Sequence, residues 1–238
     1  MSLTTALKSI WHTYIVFYIK TILSLLNLPA LIYDYLFSRV LTRRSYLFMF
    51  HNNIKDKLER VSSVLDVGVG TGLPLNAIAP QMSKTKIVGI DIDHNYIVKA
   101  KQLFASTPNV EIREQNFYDL ASSNEKYDLI VFSSSFMLMP DRKKALDIAK
   151  QLLNKNGRVI FLLTLYENKP RYKIIERVKP YLKYYTTVDF GSLVYETELT
   201  QVVKENGLEI IKKQRVEQRF NPIFSIFRFF CVECEVKA

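Results

Sequence analysis

The chain has 238 residues, enough for one large domain with a sizeable core, or for one domain plus an extension. Hydrophobic residues make up 48% of the sequence and charged residues 24%, and the 7 glycines and 8 prolines leave no room for long low-complexity linkers. The formal net charge of +10 favours anionic partners, which include nucleic acid, an acidic membrane surface and phosphate-bearing substrates.

The first 32 residues are apolar and aromatic, and no acidic residue occurs before Asp34. A membrane-spanning helix needs about 20 apolar residues, which residues 11–28 nearly supply. Lys20 would then lie near the middle of the bilayer, at a cost of about 2.5–3.5 kcal/mol. We therefore expect residues 1–32 to form an interfacial helix that contacts a membrane, with Lys8 and Lys20 reaching anionic headgroups. The alternative is a helix that covers the core of the domain.

Residues 33–46 have the pattern of a second amphipathic helix, and the main domain is predicted to span residues 33–238. Three arginines, Arg39, Arg43 and Arg44, fall on its outer face. A guanidinium group matches a phosphate in a bidentate manner, so these side chains are candidates for binding a substrate phosphate. A solvated basic face is the alternative interpretation.

A glycine-rich turn follows an apolar run in residues 61–72, which read Val-Ser-Ser-Val-Leu-Asp-Val-Gly-Val-Gly-Thr-Gly. The apolar part is typical of a buried parallel strand. Gly68, Gly70 and Gly72 then allow a sharp turn and a close approach of the backbone to a ligand. The spacing is G-x-G-x-G, which differs from the dinucleotide pattern G-x-G-x-x-G.

The next apolar strand, residues 86–91, ends in the carboxylate of Asp91. A carboxylate at that position can accept hydrogen bonds from both hydroxyl groups of a ribose. A glycine turn after one strand and an acidic residue at the end of the next are how a doubly wound sheet holds a nucleoside.

The rest of the chain alternates between helices and strands with short connections, which predicts an α/β fold with a mainly parallel sheet. The predicted helices are residues 74–79, 95–106, 141–153 and 197–206, and the further strands are 110–116, 127–132, 158–163, 208–216 and 226–236. With residues 61–67 and 86–91, this gives seven predicted strands in all.

Cys231 and Cys234 have the Cys-x-x-Cys spacing of some metal and redox sites. Both lie in an apolar stretch that reads as a strand, where residues three apart point to opposite faces. No second pair of Cys or His accompanies them. We therefore expect two buried core cysteines in a reducing compartment, and no metal site.

The two strand ends together resemble class I S-adenosylmethionine-dependent methyltransferases, in which an acidic residue precedes the G-x-G-x-G turn and Gly-x-Asp closes the next strand. The resemblance implies a Rossmann-like doubly wound sheet of seven strands with the last strand antiparallel, and S-adenosyl-L-methionine as cofactor. It also implies the residues that bind the cofactor. These are Asp66 with Gly68, Gly70 and Gly72 for the methionine end, Asp91 for the ribose, Ile92, Asn116 and Phe117 for the adenine, and Ser133 near the transferred methyl group.

Several stretches are also similar to the soluble-type bacterial phosphatidylethanolamine N-methyltransferases. Tyr33-Asp-Tyr-Leu-Phe-Ser-Arg-Val-Leu41, followed by Arg43-Arg44, resembles the segment before the first strand of that family. Residues 215–228 resemble its closing stretch. The similarity extends over about residues 31–230, but the longer apolar segment before Tyr33 and residues 169–190 depart from it.

This second resemblance implies N-methylation of a phospholipid amine by a peripheral or monotopic membrane protein, with an anionic membrane surface or phospholipid as partner. Ser133, Tyr33 or water is then expected to accept the amine proton. Nucleic acid is not an expected partner, because no Asn/Asp-Pro-Pro-Tyr/Phe motif follows the fourth strand. Two alternatives stay open: methylation of a hydrophobic small molecule, such as a quinone precursor or a thiol, and a non-catalytic assembly or scaffold role.

Overall fold

A computed structural model describes residues 42–170, 172, 173, 176, 191–216 and 228–237. The predicted membrane-contacting helix, the boundary at residue 33 and the candidate Tyr33 lie outside this set. Among the described residues, none of the helices combines the length and the apolar character needed to cross a membrane.

Strands and helices alternate along the described chain, as the sequence pattern predicts. The strands are β1 (Ser63–Val67), β2 (Lys86–Asp91), β3 (Val110–Glu114), β4 (Tyr127–Ser133), β5 (Leu153–Tyr166), β6 (Val194–Tyr195), β7 (Leu208–Arg215) and β8 (Phe229–Val236). The α-helices are α1 (Arg43–Met49), α2 (Leu73–Asn76), α3 (His94–Phe104), α4 (Arg142–Leu152) and α5 (Glu196–Glu205). Shorter helical turns cover Phe50–Ile54, Lys55–Arg60, Ala79–Met82, Phe117–Ser122 and Phe136–Leu138.

The strands form one sheet in the order β3-β2-β1-β4-β5-β8-β7, and the short β6 pairs with β5 off this path. Strands β1 to β5 pair in parallel, whereas β8 is antiparallel to both of its neighbours. The predicted doubly wound sheet with an antiparallel last strand is thus confirmed, but among the described residues the sheet has eight strands instead of seven because it includes the two-residue β6. The chain runs outward from β1 to β3 and then returns to β4, so the carboxyl ends of β1 and β4 flank the point where ligands bind in such folds.

The core forms two layers, one on each face of the sheet. Leu65 and Val67 of β1 point into the layer covered by α4 and α5, whereas Val64 points into the layer covered by α1, α2 and α3. Cys231 and Cys234 are buried in opposite layers, as predicted. Burial raises the pKa of both thiols to about 12, so neither forms the reactive thiolate at neutral pH.

Two predicted elements differ from the observed ones for local reasons. The helix predicted for residues 74–79 ends as α2 at Asn76, and a separate short turn begins at Ala79. Pro80 lacks the N–H that would continue an α-helix through this region. Strand β5 begins at Leu153 instead of residue 158, and residues 154–157 form an irregularity between the pairs Tyr127–Leu153 and Leu129–Arg158.

A buried carboxylate joins the segment before β1 to the last strand. Glu233 of β8 is 2% exposed and accepts a 2.7 Å hydrogen bond from the Asn53 amide. Lys57 lies 3.2 Å from the same carboxylate, and Arg158 forms an ion pair with it. Burial alone would raise the pKa of Glu233, but the bonds from these three side chains outweigh it and hold the pKa below its usual range. The contact fixes the amino-terminal segment over the sheet.

Candidate active site

The three glycines after β1 all have a left-handed backbone, with φ of +80° at Gly68, +57° at Gly70 and +76° at Gly72. At Gly68 there is also no room for a side chain, since a Cβ there would lie 2.5 Å from the Ser135 Cβ. The amides of Gly68 and Val69 donate to the Ile90 carbonyl at 2.9 and 3.1 Å. The turn is therefore held against the end of β2 and the turn after β4.

Gly72 has a packing role that the sequence pattern does not reveal. A Cβ at this position would lie 2.6 Å from a ring carbon of Phe104, in α3. The missing side chain thus lets α3, the helix between β2 and β3, pack against the turn. The sequence pattern assigns Gly72 to the methionine end of the cofactor, and in the structure its need for glycine is already explained by this contact.

The Asp91 carboxylate holds the glycine turn in place. It accepts hydrogen bonds from the Gly70 amide at 2.9 Å and from the Asp93 amide at 3.0 Å. Burial raises the pKa of Asp91 above its usual value, and the amide bonds act in the opposite direction. A carboxylate has about four acceptor positions, so two backbone bonds leave capacity for ribose hydroxyl groups.

The next side chain, Ile92, is 73% exposed although it is large and apolar. It follows Asp91 directly at the carboxyl end of β2. An exposed apolar surface beside a carboxylate with remaining acceptor capacity is an arrangement that the flat face of a purine base could occupy.

Asn116 and Phe117 are only partly available to a ligand. The Asn116 side-chain oxygen accepts a 3.0 Å hydrogen bond from the Tyr118 amide and so begins the helical turn Phe117–Ser122. One acceptor position of the amide oxygen remains for an adenine amino group. The Phe117 ring is 3% exposed and packs edge to face on Phe132, with ring centroids 5.2 Å apart. Any contact of Phe117 with a base is therefore left to its backbone.

A buried polar cluster lies beneath the glycine turn and contains Tyr46, Asp66 and Ser133. The Tyr46 hydroxyl lies 2.7 and 3.0 Å from the two carboxylate oxygens of Asp66, and the Ser133 hydroxyl donates to the same carboxylate. Burial raises the pKa of Asp66 to about 6, although the bonds from Ser133 and Tyr46 lower it. Ser133 is predicted as a proton acceptor, but the residue is only 7% exposed and its hydroxyl is bonded to Asp66.

Tyr46 is the member of the site that the sequence does not identify. It lies in α1, where an inward-facing tyrosine on an amphipathic helix has the same pattern as an ordinary core residue. Arg43 is exposed in the first turn of the same helix and Arg44 is half-buried, so both lie on the segment that leads into the site. Tyr33, the other proposed proton acceptor, lies outside the described residues.

The turn after β4 has a strained backbone at the carboxyl edge of the sheet. Ser134 has a φ of +56°, which is uncommon for a residue with a side chain. Its amide donates to the Leu162 carbonyl at 2.8 Å, and the Ser135 hydroxyl donates to the Val67 carbonyl at 2.5 Å. Bonds on both sides thus fix Ser134 in this conformation, and backbone strain of this kind is concentrated at functional sites.

One buried polar atom in the glycine turn has no partner in the described structure. The Thr71 residue is 3% exposed, and its hydroxyl forms no hydrogen bond with any described residue. Buried polar groups are almost always bonded, so this hydroxyl fits a ligand at the turn. Together with the acceptor capacity of Asp91 and the exposed Ile92, it makes a site that fits S-adenosylmethionine.

The fold and this site define a class I S-adenosylmethionine-dependent methyltransferase domain: the sheet order, the G-x-G-x-G turn and the acidic end of β2 occur together. A family described as "Methyltransferase domain" matches residues 58–221, and the chain belongs to this family.

Three comparisons extend this result. Malonyl-[acyl-carrier protein] O-methyltransferase 1 of Ilyobacter polytropus is 27% identical over 158 residues, which is 62% of this chain and 57% of that protein. Phosphatidylethanolamine N-methyltransferase of Cereibacter sphaeroides is 23% identical over 201 residues, 83% of this chain and 92% of that protein. An S-adenosylmethionine-dependent methyltransferase structure from Clostridium acetobutylicum has a TM-score of 0.64 and 16% identity, over 89% of this chain and 99% of that one.

Proposed function

We propose that this protein transfers a methyl group from S-adenosylmethionine to the amine of an ethanolamine phospholipid at a membrane surface. The observation that carries the proposal is the length of the similarity to the phosphatidylethanolamine N-methyltransferase, which covers 83% of this chain and 92% of that protein. A match that covers 83% of the chain must include residues 42–60. Most of this range lies before residue 58, where the family match begins. The segment that leads into the site is therefore shared as well as the cofactor fold.

The basic character of the chain supports an anionic partner. The net charge of +10 favours attraction to a surface of anionic lipids, and each lysine or arginine near such a surface contributes about 1 kcal/mol. Arg43 is exposed on α1, and α1 also carries Tyr46 of the buried cluster. We assign Arg43 and Arg44 to the lipid phosphate and residues 1–32 to contact with the membrane.

When bound, S-adenosylmethionine supplies an activated methyl group on a sulfonium. The glycine turn and Asp91 would hold this cofactor, and the amine nitrogen would take the methyl group while sulfur keeps the electron pair of the broken bond. The protein mainly orients the two reactants and keeps water from the sulfonium. The glycine turn, packed on Ser135, provides a rigid wall for this purpose.

The amine must lose a proton, and the contacts of Ser133 argue against this residue as the acceptor. Ser133 is a poor acceptor because its hydroxyl already donates to Asp66 within a buried cluster. We assign the proton to water or to Tyr33. A lipid amine with a pKa near that of lysine then reacts faster as the pH rises.

The test supplies the full chain with methyl-labelled S-adenosylmethionine and vesicles that contain phosphatidylethanolamine and an anionic lipid. Label is expected in the ethanolamine lipid and not in vesicles of anionic lipid alone. In a second reaction, a total membrane extract replaces the vesicles. Label that appears there only in an apolar product other than the ethanolamine lipid would support a small-molecule acceptor. Cofactor binding without any labelled product would support the non-catalytic role. Either result overturns the lipid proposal.

Two variants probe the proposed lipid contact. Arg43→Ala combined with Arg44→Ala should raise the vesicle concentration needed for half-maximal activity, whereas Arg60→Ala, at an exposed position of the same segment, should not. Flotation with anionic vesicles, measured with and without residues 1–32, tests the membrane segment separately. Equal flotation of both chains would remove the role proposed for residues 1–32.

A further inference from the structure

Tyr46, Asp66 and Ser133 form a closed ring of oxygen contacts. The Tyr46 hydroxyl contacts both carboxylate oxygens of Asp66, and the Ser133 hydroxyl contacts Asp66 Oδ1. The Tyr46 and Ser133 hydroxyl oxygens are also within hydrogen-bond distance of each other. All three side chains are buried, at 2%, 1% and 7% exposure respectively.

The number of protons in this ring depends on the charge of Asp66. There are four oxygen–oxygen contacts among the three residues, and the two hydroxyl groups supply two protons. With Asp66 ionised, two of these contacts therefore carry a proton each, and a proton on Asp66 would add a third. The ring can therefore accommodate Asp66 either with or without a proton on its carboxyl group.

The ring lies directly beneath the place where a cofactor would bind. Asp66 is the penultimate residue of β1 and pairs with Val131, so Ser133 lies two residues further along β4 on the same face. Asp66 is followed within two residues by the glycine turn, and Ser133 by Ser135, which contacts Gly68. Tyr46 reaches this point from α1, in the segment before β1.

We propose that Tyr46 is a positioning residue of the cofactor site, which orients the Asp66 carboxyl group beneath the glycine turn and controls whether that group is charged when a cationic ligand enters. S-adenosylmethionine carries a sulfonium and an ammonium group, and both are attracted more strongly by an ionised carboxyl group than by a neutral one. The role proposed for Tyr46 concerns the cofactor alone and holds for any methyl acceptor.

The charged and titratable groups around Asp66 are consistent with an influence of Tyr46 on its charge. Burial raises the pKa of Asp66 to about 6, the hydrogen bonds from Ser133 and Tyr46 lower it, and the neighbouring carboxylate of Asp91 raises it. In the described structure, Tyr46 comes from α1, Ser133 from β4 and Asp91 from β2. Loss of the Tyr46 hydroxyl removes one stabilising bond to the ionised form, so Asp66 should then ionise only at a higher pH.

The experiment measures the Kd of the full chain for S-adenosylmethionine by calorimetry from pH 5 to pH 8.5. Affinity should rise by up to about tenfold per pH unit below the midpoint and level off above it. Tyr46→Phe should weaken binding about fivefold or more near pH 6.5, move the midpoint to higher pH, and recover toward the wild-type Kd at pH 8.5. Buffers of different ionisation enthalpy should show proton release on binding at pH 6.

Tyr127→Phe is the matched control. Tyr127 is a buried tyrosine whose hydroxyl donates to the Glu125 carboxylate at 2.9 Å, and it lies at the opposite end of β4 from Ser133. Removing that hydroxyl should leave both the Kd and its pH midpoint unchanged. Asp66→Asn should abolish the pH dependence in this range.

Three results would overturn the proposal. The first is a Tyr46→Phe protein with the wild-type midpoint, even if its affinity is uniformly lower, because that would mean a structural role only. The second is an Asp66→Asn protein that keeps the wild-type pH dependence. If Tyr46→Phe does not fold, Ser133→Ala takes its place, because it removes the other stabilising bond to Asp66. The third result is then a Ser133→Ala protein whose pH midpoint is the same as that of the wild type.

Discussion

Gly68 packs directly on Ser135: a Cβ added to the glycine would lie 2.5 Å from the serine Cβ, and the backbone there has a φ of +80°. Gly68→Ala therefore meets both a steric clash and an unfavourable backbone conformation. We expect it to displace the glycine turn and to remove measurable cofactor binding in calorimetry. The free energy of unfolding should also fall by about 2–4 kcal/mol, because the clash adds to the cost of the left-handed backbone.

Gly207→Ala separates these two effects. Gly207 has a similar φ of +69°, but a Cβ there meets nothing within 4 Å. This variant should lose only about 1–2 kcal/mol and should bind the cofactor normally. Equal losses of stability in the two variants would mean that the contact with Ser135 contributes nothing.

Exposed Ile92 provides a test of the adenine contact that does not disturb the core. Because its side chain is 73% exposed, Ile92→Ser should change the free energy of unfolding by less than about 0.5 kcal/mol. Loss of an apolar contact with the base should weaken cofactor binding by about 1–2 kcal/mol, or roughly 5- to 30-fold in Kd. Ile211→Ser, at a 37% exposed position on β7, is the control and should leave Kd unchanged. An unchanged Kd in Ile92→Ser would place the base elsewhere.

The sequence could predict those site residues whose position depends only on their neighbours in the chain. Gly68 follows β1 and Asp91 ends β2, so the strand pattern and the parallel sheet together bring them to one edge. The ring of Tyr46 with Ser133 joins residues 87 positions apart through side chains, and no periodic pattern encodes such a contact. The pattern for Tyr46 is that of a core residue, and the hydroxyl becomes informative only when its partner is visible.

In the fold as well, features encoded by neighbouring residues could be predicted, whereas contacts between residues far apart in the chain could not. The order and approximate positions of the longer strands follow from their apolar patterns and the turn residues between them. The two-residue strand β6 is too short to leave a pattern. The bond from Asn53 to Glu233 spans 180 positions, and a glutamate in an apolar strand gives no indication of its partner.

Glu233 offers a stability test with a matched neighbour. Glu233→Gln removes a buried charge that is bonded to Asn53, Lys57 and Arg158, so the free energy of unfolding should fall by about 2–3 kcal/mol. Its folded pKa lies below the usual value, so this stability is present at neutral pH and is lost as the pH falls through that folded pKa. Glu235→Gln alters the ion pair between Glu235 and Arg158, whose charged groups are 3.7 Å apart, and the Glu235 side chain is 39% exposed. This variant should lower the free energy of unfolding by less than about 1 kcal/mol. Chemical denaturation at pH 7.5 and pH 4 measures the loss of stability in both variants. Equal losses in Glu233→Gln and Glu235→Gln would contradict the conclusion that burial makes the Glu233 contacts the stronger ones.

Asp66 should destabilise the fold at neutral pH. Its folded pKa of about 6 is above the value of 3.8 expected in the unfolded chain, so the native state binds the proton more tightly. The free energy of unfolding therefore decreases as the pH rises from about 4 to 6, and a shift of about 2 units corresponds to roughly 2–3 kcal/mol. Asp66→Asn removes this loss and should be more stable than the wild type at pH 7.5, with little difference at pH 4.

Asp128 should show the opposite sign and is the control for Asp66. Burial would raise the pKa of Asp128, but bonds from Ser62, Ser63 and Asn154 hold it below the usual value. Its ionised form stabilises the native state, so Asp128→Asn should lower the melting temperature at pH 7.5. Melting curves of both variants from pH 4 to pH 7.5 test the assignment. A destabilised Asp66→Asn protein at pH 7.5 would show that the Asp66 charge is compensated within the ring, and it would remove the reason for expecting a proton there.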